Sequence, residues 1–130
     1  MADKEDFLDA VNALGHVNRV RIVMLLTRHR EICGCHIACA LGICRAGISA
    51  HLKVLCRARM VNVRAEGNMR YFSLAWGLAD PRLSMLIHLT RIWVSGDPLF
   101  EKDLVAVGQA MLSLPACLKP RKPRRAEGGS

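Results

Sequence analysis

Residues 35–59 decide the fold, and they read CHIACALGICRAGISAHLKVLCRAR. A helix over 46–59 is predicted because its apolar side chains recur at i, i+4 and i+7, along one helix face. A shorter helix over 35–42 precedes it, and Gly42 separates the two. Two short helices joined by a tight turn, with the second strongly amphipathic, are typical of a helix-turn-helix.

A β-hairpin is predicted directly after this pair of helices. Residues 60–65 and 69–74 alternate apolar and polar side chains, which is the pattern of half-buried strands. The three residues between them, Glu66-Gly67-Asn68, have the composition of a turn. A hairpin in this position is a wing, so the sequence predicts a winged helix-turn-helix.

Four further helices flank this central unit. Their predicted ranges are 3–14 and 18–27 before it, and 80–94 and 99–113 after it. The resulting order is α-α-α-α-β-β-α-α, a mainly α fold with one small β-hairpin. The helix over 80–94 carries more apolar surface than one small core needs, which suggests a dimer.

Composition agrees with one helical domain. The chain has 130 residues, of which 52% are hydrophobic but only 5% aromatic. This balance favours an aliphatic helical core over a β-sandwich. We assign residues 1–113 to one DNA-binding and dimerisation domain. Residues 114–130 contain prolines, glycines and a cluster of basic side chains, and we expect them to form a disordered basic tail.

The charge points to a nucleic-acid partner. The formal net charge is +8, and a globular chain this basic favours a polyanion. Residues 45–70 contain six basic side chains and one acid, Glu66. This basic segment coincides with the second helix of the motif and with the wing. We therefore predict binding to double-stranded DNA, with no cofactor required for it, rather than an ordinary solvated helix face.

The position of each side chain in the motif predicts its contact with DNA. The start of a recognition helix faces base edges, whereas cations farther along it and in the wing contact phosphates. Arg45 is placed to read guanine. The predicted DNA-binding residues are Arg45, Ala46, Ser49, Ala50, His51, Lys53, Arg57, Arg64 and Arg70.

Three ordered motifs resemble the ArsR/SmtB family of metal-sensing repressors. Residues 13–22, ALGHVNRVRI, are similar to the family's opening L-A-D-P-T-R-L-R-I. Residues 48–55, ISAHLKVL, resemble its V-S-x-H-L-K-x-L. Residues 64–67 and 71–74 are similar to its wing, R-x-E-G followed by Y-Y-S-L. The resemblance covers roughly residues 7–95, and three motifs in the right order make it specific.

The resemblance implies a homodimeric winged-helix repressor that binds operator DNA and leaves it when an inducer binds. In that family the first helix and the long helix after the wing form the dimer interface, which would use the apolar excess at 83–93. Two departures are present. His16-Val17 replaces the usual Asp-Pro, and residues 44–47 replace Ser-Gln-Ser-x, so the family's operator sequence is not carried over.

Cysteines cluster just before the recognition helix. The chain has six of them, and in a reducing cytosol clustered cysteines are more often metal ligands or redox centres than structural disulfides. Residues 31–37, EICGCHI, resemble the family's thiolate box, E-L-C-V-C-D-L. Members with that box sense arsenite and antimonite, or cadmium and lead. The resemblance therefore implies As(III)/Sb(III) or Cd(II)/Pb(II) as the inducer.

The third thiolate departs from the arsenite pattern by one residue. That pattern places a cysteine where this chain has Ala38, and Cys39 follows. Cys35 and Cys39 share one helix face, and Cys33 joins them only if the segment before Cys35 is unwound. Whether the ligands come from one subunit or two stays open. The predicted ligands are Cys33, Cys35 and Cys39, with Cys44 and Cys117 as further candidates.

Two neighbouring residues have less specific roles. Cys56 is expected to lie in the core, because free cysteine is a common small core residue. His36 is a possible fourth ligand, but we expect it to be solvated.

A second hypothesis uses the same fold as a thiol redox or persulfide sensor. Two cysteines, such as Cys35 with Cys39 or Cys44 with Cys117, would form a disulfide or polysulfide bridge instead of binding metal. A third hypothesis is a constitutive architectural DNA-binding protein in which the cysteines are incidental.

An enzyme is not expected, since the sequence contains no phosphate loop and no α/β unit that would form a pocket. The N-terminus is acidic and lacks the pattern of a signal peptide, and no window has the length and hydrophobicity of a transmembrane helix. We therefore expect a cytoplasmic protein without a membrane partner.

Overall fold

The computed structural model describes residues 4–75 and 81–113. The elements in these ranges are α1 (Lys4–Ala13), α2 (Val17–Arg28), β1 (Ile32–Cys33), α3 (Gly34–Leu41), α4 (Arg45–Arg57), β2 (Val61–Glu66), β3 (Met69–Leu74), α5 (Pro81–Trp93) and α6 (Pro98–Ser113). The predicted fold, mainly α with a winged helix-turn-helix, is confirmed, and one strand, β1, is added to it. The predicted tail over 114–130, which includes Cys117, lies outside the described residues.

The sheet has three antiparallel strands in the order β1-β3-β2. The hairpin runs from the pair Val61–Leu74 to the pair Glu66–Met69. Gly67 in its turn has φ +63°, a conformation that favours glycine. Strand β1 pairs with the other edge of β3 through two residues only, which is too short for any alternating pattern to reveal it from sequence.

The core lies between α2 and the elements packed around it. The centre of α2, residues 22–26, is buried, and α6 packs across α3 and α2. The largest fully buried side chains are Ile22, Leu25, Ile32, Ile37, Leu55, Met60, Ile87, Val23 and Val107.

No single described helix is long and apolar enough to cross a membrane, although α3 and α4 together, across a bend of 114°, meet that test of length and composition.

A buried ion pair fixes α6 to the rest of the fold. Arg21 donates from Nε and Nη2 to the two carboxylate oxygens of Asp103, at 2.8 and 2.9 Å. The same guanidinium donates to the side chain of Asn18 and to the carbonyl of Leu41 at the end of α3. The hydrogen bond to Asp103 is the main reason that the pKa of Arg21 is raised. Helices α2, α3 and α6 therefore meet at one arginine.

Helix α4 begins and ends with unusual residues. Its N-cap is Cys44, whose Sγ accepts a hydrogen bond from the backbone N–H of Gly47 at 3.4 Å. Past its last turn, Arg59 has φ +65°, the left-handed conformation that glycine usually occupies at a helix end. The backbone N–H groups of Arg59 and Met60 close this end by donating to the carbonyls of Cys56 and Leu55.

Candidate DNA-binding surface and thiol site

Helix α4 separates its side chains as the sequence predicts for a recognition helix. Ile48, Leu52 and Leu55 are buried against the core, which fixes the rotation of the helix. The opposite face is then in solvent from its first turn to its last. Six of the predicted DNA-binding residues are exposed there: Arg45, Ala46, Ser49, Ala50, Lys53 and Arg57.

His51 is half-buried and lies among other basic groups. Its ring centroid is 4.6 Å from that of His16, and its Nδ1 is 3.5 Å from Nη1 of Arg19. Burial, then the charges of His16 and Arg19, lower the pKa of His51. Arg19 also donates to the carbonyls of Asn12 and Ala13 at the end of α1. His51 therefore connects the recognition helix to the junction of α1 and α2.

The wing holds its two predicted arginines differently. Arg70 is exposed and makes no ion pair within the described part of the chain. Arg64 donates from Nε and Nη2 to Glu31, at 2.9 and 2.8 Å, and from Nη1 to Glu66. Its guanidinium carbon is 4.7 Å from the ring centroid of Tyr71. The hydrogen bond from Arg64 is the main reason that the pKa of Glu31 is lowered.

The thiol segment, residues 31–39, runs from the wing sheet into α3. Cys33 is in β1 and is also the N-cap of α3, with extended backbone and 2% exposure. Gly34 begins the helix, where a Cβ would lie 3.2 Å from the ring of Phe72. A larger residue at this position would require the Phe72 ring to shift by a few tenths of an ångström. Of the residues directly before Cys35, Cys33 is extended, whereas Gly34 already belongs to the helix.

The remaining described cysteines are dispersed along two helices. Cys35 is disulfide-bonded, whereas Cys33, Cys39, Cys44 and Cys56 form no disulfide. Because Cys39 and Cys44 are free, neither disulfide pair suggested from the sequence is formed. Cys39 and Cys44 are exposed and Cys56 is intermediate, and burial raises the pKa of the Cys56 thiol.

The predicted sulfur ligands that lie within the described residues do not form a cluster in this conformation. Among residues 4–75 and 81–113, no group of three or more His, Cys, Asp or Glu side chains is placed to hold a metal ion. His36, which we expected to be solvated, is only 7% exposed, since α3 turns that side chain inward. A site built from Cys33, Cys35 and Cys39 therefore requires movement of the thiol segment and reduction of Cys35.

Two helices present exposed apolar side chains. On α1 these are Phe7, Leu8 and Val11. On α5, Met85, Leu89, Ile92 and Trp93 are all more than half exposed, with Trp93 at 81%. Large apolar side chains at this density on a helix face mark an interaction surface. These are the two helices that the sequence analysis assigns to a dimer interface.

The structure adds functional candidates that the sequence argument missed. Glu31 belongs to the segment that resembles the thiolate box, but no local pattern indicates its contact with Arg64, 33 positions later. The charge count over 45–70 excluded it. Tyr71 belongs to the alternating pattern and to the wing motif, but neither indicates its contact with Arg64. A count of acids that included the residues flanking β1 would include Glu31, but this strand of two residues has no sequence pattern of its own.

The family model described as bacterial regulatory protein, arsR family, matches residues 16–63. The arsenic resistance transcriptional regulator ArsR1 of Pseudomonas putida is 30% identical over 104 residues, covering 76% of this chain and 77% of that protein. The transcriptional repressor SmtB homolog of Synechocystis is 34% identical over 64 residues, or 49% of this chain. This chain spans about half the length of that relative, 48%.

Solved structures share the fold at lower identity. Reduced HlyU from Vibrio cholerae has a TM-score of 0.61 and 20% identity, covering 71% of this chain and 92% of that one. The winged helix-turn-helix domain of Mb0332 from Mycobacterium bovis, described as homodimeric, has a TM-score of 0.60 and 24% identity, covering 72% and 87%. The AntR antimony-specific transcriptional repressor has 0.59 and 20%, covering 70% and 78%.

Proposed function

The chain belongs to the ArsR family of bacterial regulatory proteins, and from that membership we propose a homodimeric repressor that leaves operator DNA when a soft metalloid or metal binds its cysteine thiolates. Its relatives are transcriptional regulators, in agreement with the prediction that it is not an enzyme. Arsenite and antimonite are the first candidates for the inducer, and Cd(II) and Pb(II) are the next. The cytoplasmic location expected from the sequence belongs to the same proposal.

The exposed face of α4 supports DNA binding. Arg45, Ala46, Ser49 and Ala50 lie at the start of the helix, the part that faces base edges in a helix-turn-helix complex. Lys53, Arg57 and Arg70 are exposed cations suited to phosphates. His51 contributes from a half-buried position. Arg64 retains the proposed role only if DNA displaces its two carboxylates.

The apolar faces of α1 and α5 support a homodimer. A monomer of this size gains from covering side chains such as Phe7, Leu89 and Trp93, all more than half exposed. The domain of Mb0332, which shares the fold, is described as homodimeric. A symmetric dimer would place two α4 helices for two half-sites of one operator.

The position of the thiol segment is the observation that carries the inducer proposal. Cys33 lies in the wing sheet and caps α3, and the turn after α3 leads directly into α4. Sulfur ligands select soft metals, and two relatives are named for arsenic and antimony. Gathering Cys33, Cys35 and Cys39 around one ion would pull on the helix before the recognition helix. Cys44 and Cys117 remain additional candidate ligands.

A thiol redox switch is the second candidate function. The disulfide at Cys35 favours it, because a disulfide-bonded sulfur is not available as a thiolate ligand. Oxidation of Cys35 and metal binding by Cys35 would then exclude each other. Under this alternative a disulfide or polysulfide bridge, rather than an ion, releases the DNA.

Fluorescence anisotropy tests the metalloid proposal. Reduced protein would be titrated without oxygen onto labelled DNA from upstream of its own gene, with and without arsenite, antimonite, Cd(II) or Pb(II). We expect one ion to weaken binding by at least tenfold, and Cys33→Ser to remove that response. The matched control is Cys56→Ser, which changes a thiol outside the thiol segment. Absence of specific DNA binding would overturn the repressor proposal.

The same assay separates the two candidates. Peroxide or persulfide would be added instead of the ions, followed by dithiothreitol. The redox switch would be favoured if an oxidant releases the DNA, dithiothreitol restores binding, and Cys35→Ser no longer responds to the oxidant. No ion should then have an effect. Release by an ion in reduced protein favours the metalloid sensor.

A further inference from the structure

Arg64 uses its whole guanidinium within the wing and the thiol segment. Its Nε and Nη2 donate to both carboxylate oxygens of Glu31, its Nη1 donates to Glu66, and its face lies over Tyr71. A forked arginine–carboxylate pair fixes direction as well as distance. The partner, Glu31, immediately precedes β1 and is two residues from Cys33.

The register of the sheet aligns Arg64, Tyr71 and Cys33 across its three strands. Tyr71 on the central strand is paired with Cys33 on one side and with Arg64 on the other. Directly opposed residues of an antiparallel sheet share a face. The wing arginine is therefore connected to the thiol segment twice, through the sheet backbone and through the carboxylate of Glu31.

The local charge argues against a phosphate contact by Arg64 in this arrangement. One guanidinium lies between two carboxylates, so these three groups have a formal charge of −1, with the charge of Arg30 also acting on Glu31. A DNA phosphate approaching Arg64 would meet both acids. Arg70, on the neighbouring strand, has no such acid within the described residues.

We propose that Arg64 is a positioning residue that links the thiol segment to the wing, rather than a phosphate contact. This inference rests on the proposed function, since it describes how occupancy of the thiols reaches the DNA-binding surface. A ligand that draws Cys33 out of β1 moves Glu31 with it. The forked pair tolerates little displacement, so Arg64 and β2 are released from their position. The wing then loses the orientation that DNA binding requires.

Hydrogen exchange tests the link without DNA or an inducer. Amide exchange in β1 and β3 would be followed by NMR in the reduced wild type, Arg64→Gln, Glu31→Gln and the control Arg70→Gln. We expect exchange at 32–33 to become at least threefold faster in the first two variants and to stay unchanged in Arg70→Gln. Equal rates in all four proteins would overturn the link.

DNA titrations with arsenite as the probe test its consequence. In Arg64→Gln we expect the ratio of dissociation constants with and without arsenite to fall at least fivefold, with an unchanged slope of log K against log salt. In Arg70→Gln we expect the slope to become less steep by about 1.8 for a dimer, at about 0.9 for each lost phosphate contact. The arsenite ratio should stay unchanged.

The outcomes separate this inference from the proposed function. If wild-type protein does not bind DNA or ignores arsenite, the proposed function fails, and the exchange rates still decide whether Arg64 holds the thiol segment. If wild type responds but Arg64→Gln loses salt slope and keeps its arsenite ratio, Arg64 is a phosphate contact and the inference is wrong.

Discussion

Two arginines hold carboxylates with the same forked geometry but in different surroundings. Arg21 joins α2 to Asp103 of α6, with side chains 16% and 3% exposed. Arg64 joins β2 to Glu31, with side chains 51% and 32% exposed. Breaking a buried pair leaves a charge without water, whereas an exposed pair contributes little and is screened by salt. The buried pair therefore belongs to the fold, and the exposed pair can open without unfolding it.

The largest effect is expected from Arg21→Ala. This change leaves the carboxylate of Asp103 buried without its main partner, and we expect the free energy of unfolding to fall by about 3–5 kcal/mol. Urea denaturation followed by circular dichroism measures it. A loss below 1 kcal/mol would mean that the two pairs are energetically alike, and the comparison would fail.

Arg21→Lys should have a smaller effect. Lysine keeps the charge but cannot make two parallel hydrogen bonds to Asp103 and reach the carbonyl of Leu41 as well. We expect a loss of about 1–3 kcal/mol in the free energy of unfolding. The same urea titration applies. If Arg21→Lys is as unstable as Arg21→Ala, fork geometry rather than charge holds α6.

Arg64→Gln should leave stability almost unchanged. Its partner carboxylates are partly in water, so neither is left unsolvated. We expect a urea midpoint within experimental error of wild type, at low salt and at 1 M NaCl, while the loss in Arg21→Ala persists in salt. A clear drop in the midpoint would make Arg64 a structural residue and would remove the contrast.

The smallest effect concerns pH. Arg64 lowers the pKa of Glu31 below its ordinary value, so the unfolded chain binds the proton more readily than the folded one. This contribution to stability is complete above the unfolded pKa and is lost as pH falls through the folded pKa. In unfolding titrations from pH 6 to pH 3 at low salt, Glu31→Gln should flatten the decline slightly. Identical curves would count against the pair in solution.

Sequence reasoning succeeded where a local pattern reports the structure. The helical period around Ile48 and Leu52 predicted α4, and the alternation in 69–74 predicted β3. Both patterns arise because one face of the element is buried, and the burial of Ile48, Leu52 and Phe72 agrees with this. The exposed DNA-facing side of α4 follows from the same rotation.

The contacts between distant segments could not be obtained in this way. The pair Glu31–Arg64 depends on β1, whose two residues have no recognisable period. No local pattern marks Asp103 as buried, because its burial depends on how α6 crosses α2 and α3. The expectation that His36 is solvated is wrong, because the packing of α3 decides which of its faces is inside.

The ends of α4 have a consequence for protein engineering. A thiol caps the start of the helix, although a hydroxyl is the better acceptor there, and an arginine adopts left-handed backbone at the other end, where glycine is unstrained. Cys44→Ser and Arg59→Gly therefore offer two independent gains in thermal tolerance that leave the buried face of α4 intact. Both lie next to the surface assigned to DNA. Variants that combine them would show how far α4 can be stabilised before its selectivity among DNA sequences declines.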